Sequence, residues 1–159
     1  SALRGMAQTK ALTVNYVKPH GAMYNDMMKD QVVRFALYEA ISQLNNHHTT
    51  PVRLMMLATQ QREEHLLEAQ RFGIELIFES FADRRYTDAG TLQSRTEAGS
   101  VLDKSAMLDQ VKHLLNGQVV TATGKVIAVE SDTICVHGDN QSAIQLVAEI
   151  RALCEQGAD

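Results

Sequence analysis

Three short polar clusters in this sequence hold side chains able to do chemistry. Lys18-Pro19-His20-Gly21 sets a cation and an imidazole two residues apart. Proline fixes one backbone angle and glycine permits a sharp turn, so the pair between them would be held rigidly. Lys18 offers positive charge to a carboxylate or phosphoryl group, and His20 offers an acid, a base or a metal ligand. In His137-Gly138-Asp139-Asn140, the glycine suggests close approach of backbone or ligand beside His137. Asp139 or Asn140 is a natural N-cap for a following helix, whose exposed N–H groups could also hold an anion. The third cluster, Glu79 to Arg85, combines a carboxylate, Asp83 and two arginines, Arg84 and Arg85. Guanidinium matches the geometry of carboxylates and phosphates, which suits a charged substrate. Each cluster has a plainer reading. A Lys-x-His pair alone is a solvated loop, Asp139 is only a cap, and one of the two arginines is an internal ion-pair partner.

The elements that would position these clusters follow from the hydrophobic pattern. Residues 1–10 read as the end of a helix, and Leu12–Val17 as a strand rich in β-formers. Asp26–Leu44 reads as one long helix, with Val33, Leu37, Ala40, Ile41 and Leu44 on a single stripe. Val52–Ala58 is a short apolar run suited to a strand buried on both faces. A helix over Gln61–Arg71 and a strand over Ile74–Phe81 follow. The long polar loop Ala82–Val101 leads to a helix over Ser105–Asn116 that stops at Gly117. Two short strands flank Gly124, a strand covers Thr133–Val136, and a last helix covers Asn140–Gln156. Repeated strand–loop–helix order predicts a parallel sheet covered by helices. Right-handed crossovers then put the carboxyl ends of all strands on one face. All three polar clusters come at strand ends, where the sites of barrels and open α/β folds are built.

Composition narrows the function classes. With 159 residues the chain has room for one domain, and 45% apolar with 21% charged residues is globular composition. A net charge of -4 without a basic stripe argues against nucleic-acid binding. No apolar run approaches membrane-spanning length, and no signal peptide precedes the first strand. Cys135 and Cys154 show no pairing pattern, which fits reduced thiols in the cytoplasm. There is no Trp, and the seven Met help to fill the interior; Met23, Met27, Met28, Met55 and Met56 are assigned to the core. His47-His48 reads as exposed loop, and His65 and His113 as helix residues without a ligand partner. Neither a phosphate-binding glycine loop, a zinc spacing nor a nucleophile elbow is present.

Three segments together resemble one family. KPHGAMYN (Lys18–Asn25) is similar to the KPHGxLYN signature of LamB/YcsF proteins. FESFADRRYTDAGTLQSR (Phe78–Arg95) is similar to their E-x-FADRxY-x-x-x-G-x-L-x-x-R segment, and ICVHGDN (Ile134–Asn140) to their VCxHGD motif. Order and spacing agree over nearly the whole chain. The resemblance implies an α/β fold, a seven-stranded β/α (TIM-like) barrel of the glycoside hydrolase/deacetylase type. It implies the A component of a bacterial ATP-dependent 5-oxoprolinase, which opens 5-oxoproline to L-glutamate. ATP, as its magnesium complex, would be co-substrate, and subunits B and C would activate the lactam by phosphorylation. By position, Lys18, His20, His137 and Asp139 would be catalytic, with Glu79, Asp83 and Arg84 binding substrate. His137 or Asp139 would serve as base for water, and Lys18 would supply charge near the phosphate.

One departure from the family pattern stands out. The family opens with a strand bearing D-L-N-x-D-x-G-E, followed by G-F-H-x-G-D and G-A-H-P segments, and none of these occurs here. The expectation is a fragment or shortened reading frame lacking about a third of the family length at the N-terminal side. Such a barrel would lack its first strands, and dimerisation or domain swapping could cover its edges. Two other classes remain open: a metal-dependent deacetylase-like hydrolase of amides or sugars, and a non-catalytic binding subunit.

Overall fold

The structure is a computed structural model that describes residues 2–138 and 141–156. Asp139 and Asn140, both singled out by the sequence, lie outside the described residues. The elements in order are α1 (Ala2–Gln8), β1 (Tyr16–Val17), α2 (Ala22–Lys29), α3 (Gln31–Asn46), β2 (Arg53–Leu57), α4 (Arg62–Arg71) and β3 (Leu76–Phe81). They continue with α5 (Lys104–Leu115), β4 (Gln118–Val120), β5 (Val126–Ala128), β6 (Thr133–Cys135) and α6 (Gln141–Gln156). The strand order of the main sheet is β1-β2-β3-β6, and β4-β5 form a separate two-stranded sheet. The β1–β2 and β3–β6 pairs are parallel, as the alternating strand–helix pattern predicts. Among the described residues this sheet does not close into a barrel. None of the described helices is long and apolar enough to cross a membrane.

The chain divides into two compact units. The first takes in the residues up to Met56 together with Glu63–Ile77. Its core is Tyr38, Ile41, Val52, Leu54, Ala69 and Ile74, with Val14, Val17, Phe35 and Phe72 packed against it. Phe35 and Phe72 lie 5.2 Å apart between ring centroids, and Tyr38 meets Phe72 edge-on at 5.6 Å. With no Trp in the chain, these three rings are the bulkiest contribution to that core. The end of α3 is pinned to the start of β2 by Asn45. Its amide donates to the Val52 carbonyl at 2.9 Å and accepts from the Val52 N–H at 2.8 Å.

Three expectations change in this unit. The strand expected over Leu12–Val17 shrinks to Tyr16–Val17, which pairs with Arg53 and Leu54. Leu12 stays 64% exposed, so the apolar β-formers before Tyr16 gain no partner to hold them in a ladder. The single helix expected over Asp26–Leu44 is two helices. Asp30 breaks it in extended conformation, and its carboxylate accepts from the Val32 N–H at 2.8 Å to cap α3. The apolar stripe reads through this break because side-chain spacing alone does not register a capping aspartate. Of the methionines assigned to the core, Met27, Met55 and Met56 are buried, whereas Met23 is half exposed on α2.

The second unit takes in Leu57–Arg62 and the residues from Phe78 onward. Its core gathers Ala82, Leu102, Met107, Val111, Leu146 and Ile150, with Ile134 and Val136 against it. Asp103 caps α5 by accepting from the Ala106 N–H at 3.0 Å, and Gly117 ends it at φ 68°, where a Cβ would be strained. Asp132 joins β6 to β3: its carboxylate accepts from the Phe78 N–H at 2.8 Å, and its own N–H donates to the Phe78 carbonyl at 2.7 Å. Arg62 lies 4.2 Å above the Phe78 ring and reaches Asp132 at 3.2 Å. The stretch expected as a polar loop, Ala82–Val101, contains neither helix nor strand, yet much of it is interior. Ala82, Asp83, Arg84, Tyr86 and Ser100 are buried. Isolated bridges tie Arg84 to Val101 and Tyr86 to both Leu92 and Thr121.

Candidate active site

The register of β3 against β6 sets the geometry. Phe81 is opposite Cys135, and the Ala82 N–H donates to the Cys135 carbonyl at 2.9 Å. Two residues beyond each partner of that pair come Asp83 and His137, so parallel pairing delivers these two side chains to the same place. His137 Nδ1 lies 2.8 Å from Asp83 Oδ2 and 3.1 Å from Oδ1. The Asp83 side chain is 3% exposed and that of His137 is 29% exposed. The imidazole stacks on Phe81, with centroids 5.5 Å apart and planes 18° apart.

An ionised carboxylate can only accept, so Nδ1 carries the proton and donates to Asp83. Nε2 is then the basic nitrogen of the neutral ring, on a side chain that solvent can reach. A buried carboxylate behind an accessible imidazole fixes the tautomer, orients the ring and stabilises the cation formed when Nε2 takes a proton. The arrangement suits general acid–base work on water or on a leaving group.

Other groups lie along the same strand and loop. Glu79 is buried on β3, two residues before Phe81 and therefore on the same strand face. Tyr86 is fully buried, and its phenol oxygen accepts from the Phe81 N–H at 2.9 Å. Burial, reinforced by the Glu79 and Asp83 carboxylates, pushes the Tyr86 phenol well above its ordinary range, so it keeps its proton. Arg84 is buried, and one of its donors reaches the Gln93 carbonyl at 2.6 Å. Arg85 donates to the Gly99 carbonyl at 3.0 Å. Both arginines thus help to order the loop.

In the first unit, Lys18 and His20 occupy the turn between β1 and α2. Pro19 is buried, Lys18 half-buried and His20 exposed. The Lys18 ammonium lies 5.9 Å from the centroid of the Tyr24 ring. Gly21 is the N-cap of α2 at φ 61° and ψ -132°, a conformation open essentially to glycine. Asn25 donates its side-chain amide to the Gly21 carbonyl at 3.2 Å. The Gly, Tyr and Asn of KPHGAMYN therefore shape the turn that presents the Lys and His.

The structure brings Asp83 and His137 into contact and sets Glu79 and Arg84 on the same strand and loop. Phe81, Tyr86 and the buried Gln110 were not legible as site residues, because a ring stacking on His137 and side chains bonded to the loop backbone leave no signal in spacing. A buried cluster in the first unit was equally hidden. Glu68 accepts from Arg34 at 2.7 and 3.0 Å and from Gln31 at 2.7 Å, and His65 lies 3.6 Å from it. Among the described residues, no group of three or more His, Cys, Asp or Glu side chains is placed to hold a metal ion.

Comparison with known proteins agrees with these motifs. The LamB/YcsF family model matches residues 1–158. A protein named as the A subunit of 5-oxoprolinase, from Vibrio cholerae, is 41% identical over 157 residues, covering 98% of this chain and 61% of its own length. One of the same name from Vibrio campbellii is 43% identical over 152 residues, covering 94% of this chain and 58% of its own length. The crystal structure of a lactam utilization protein from Thermus thermophilus superposes with a TM-score of 0.77 at 28% identity, covering 99% of this chain and 60% of that one. The chain spans about three-fifths of the length of the curated relatives it matches. By its match along nearly all its residues, the chain belongs to the LamB/YcsF family.

Proposed function

We propose that this chain is part of the A subunit of an ATP-dependent 5-oxoprolinase, and that the Asp83–His137 pair performs its proton transfers. The observation that carries the reading is the 2.8 Å contact that joins the FADR segment to the CxHGD segment. Relatives named as the A subunit of 5-oxoprolinase support the substrate, and that designation supports further components, proposed here as subunits B and C. The parallel strand order and the likeness to the lactam utilization protein support a β/α barrel of the TIM-like type for the whole protein.

An unstrained lactam resists attack by water, so coupling to ATP is chemically reasonable. Phosphorylation of the lactam oxygen makes the ring carbon electrophilic. Water adds there, the C–N bond breaks as a proton passes to nitrogen, and a second water hydrolyses the resulting acyl phosphate to glutamate and phosphate. That activation is assigned to subunits B and C, as the family resemblance implies. In this reading His137 Nε2 takes a proton from the attacking water while Asp83 holds the resulting imidazolium. Lys18 and His20 keep the catalytic roles the family resemblance implies, and Glu79 and Arg84 the substrate-binding ones. Asp139, the alternative base, lies outside the described residues.

The test is ATP-dependent release of glutamate from 5-oxoproline with subunits B and C supplied. It is run on this chain and on a version lengthened to the span of its relatives. Release that disappears in His137→Gln supports the assignment. Release that is unaffected by His137→Gln removes the pair from the mechanism. Hydrolysis of other amides that depends on added Zn²⁺ or Mn²⁺, without glutamate release, would replace this reading with a metal-dependent one.

A further inference from the structure

We propose that Gln110 is the positioning residue of the Asp83–His137 pair, an inference that rests on the role just assigned to that pair. Gln110 lies on α5, outside every motif, and is 6% exposed. Its side-chain Nε2 donates to three backbone carbonyls, those of Phe81 at 2.6 Å, Ala82 at 3.1 Å and Arg84 at 2.8 Å. An amide nitrogen carries two hydrogens, so the three carbonyls share two donors around one atom. These carbonyls bracket Asp83 on both sides. The residue between them has its own carbonyl fixed by the Leu102 N–H at 2.9 Å.

This stretch leaves the sheet after Phe81 with its chain buried, where satisfying backbone carbonyls is worth more than at the surface. Gln110 gathers them into a tight turn whose outcome is the direction of the Asp83 carboxylate. The same turn fixes Phe81, whose ring is the face on which His137 stacks. Both contacts that orient the imidazole, its hydrogen bond and its stacking partner, therefore sit on backbone to which Gln110 donates at three carbonyls. Displacement of about 1 Å at a reacting group can cost about 100-fold in rate.

The experiment uses Gln110→Leu and Gln110→Glu in the lengthened protein with subunits B and C. Two quantities are read: glutamate release, and the ring N–H signal of His137 in ¹⁵N-histidine-labelled protein, assigned by its absence in His137→Gln. Gln110→Leu removes the donors with little change in volume. The expected result is a kcat about 10- to 100-fold lower with KM nearly unchanged, and loss of the Nδ1–H signal while the fold is retained by circular dichroism. A folded Gln110→Leu protein with kcat and ring signal intact overturns the proposal. Should that variant fail to fold, Gln110→Glu decides. Its carboxylate would face three carbonyl oxygens, and its protonated form returns one donor, so the His137 signal should recover as pH falls. A signal in that variant indifferent to pH overturns the proposal. Unchanged turnover in His137→Gln would sink the catalytic reading alone, because the Nδ1–H signal still reports whether Gln110 positions the ring.

Discussion

His137 and Asp83 meet because they stand at equivalent places past the register pair Phe81–Cys135, each two residues beyond its strand partner. Neither motif contains both residues, and 54 positions separate them along the chain. One pair of parallel strands converts two separate signatures into a hydrogen-bonded acid–base unit.

Replacement of Asp83 by Asn tests that unit. An amide can donate to Nδ1, which favours the wrong tautomer and leaves no anion to stabilise an imidazolium. Turnover in the glutamate-release assay should fall by about 10²- to 10⁴-fold, with KM changing far less. A rate within a few-fold of the parent would show that the carboxylate is not needed.

The Arg34–Glu68 pair in the first unit has side-chain exposures of 7% and 6%. Removing one member of such a pair strands a buried charge. Arg34→Ala should therefore lose about 3–5 kcal/mol of unfolding free energy. The double replacement Arg34→Met with Glu68→Met should recover most of that loss, since an apolar pair of similar size strands no charge. Urea denaturation of the parent, both single variants and the double variant checks it. A double variant no better than Arg34→Ala would refute the buried-charge explanation.

Acidification should destabilise the chain in two stages. Burial first, then the Arg34 charge, lowers the His65 pKa below its ordinary value of 6.5. The unfolded chain binds a proton there that the folded chain resists, so stability declines as pH falls from about 6.5. The hydrogen bond from Arg34, outweighing burial, brings Glu68 from 4.5 down to about 2. Its contribution is complete above the unfolded value and is lost as pH falls from about 4.5 toward 2. Both groups act in the same direction. Urea midpoints measured from pH 7 to pH 3 should fall throughout, and Glu68→Gln should flatten the lower stage. A midpoint constant between pH 7 and pH 4 would contradict the His65 assignment.

Gly21 at φ 61° and ψ -132° occupies backbone space that a Cβ disfavours, although no heavy atom crowds the position. Gly21→Ala should lose about 1–3 kcal/mol through backbone strain alone. It should also disturb the turn that presents Lys18 and His20. Thermal unfolding gives the first number, and an unchanged midpoint would mean that the turn relaxes without cost.

Much of this protein was legible in its sequence because the signals were local. Apolar runs bounded by turn residues placed β2, β3 and β6, and Gly117 marked the end of α5. The clusters at strand ends singled out Asp83 and His137, which the fold brings into contact. Hydrophobic periodicity fails where a capping side chain or a distant partner decides the structure. The stripe over Asp26–Leu44 concealed the break at Asp30, because periodicity records which face is apolar and not where a carboxylate caps the backbone. Leu12–Val17 has the composition of a strand, but the strand pairing covers Tyr16 and Val17, aligned with Arg53 and Leu54. Arg34, Glu68 and Gln110 look like solvated helix residues by type. They are buried because folding brings opposite charge, or a set of carbonyls, within hydrogen-bond reach. Family, strand–helix alternation and the polar residues at strand ends can all be read along the chain, since each is a property of neighbouring residues. Which of those polar residues touch is a matter of register, burial and shared backbone carbonyls, and these arise only when segments far apart in the chain are folded together.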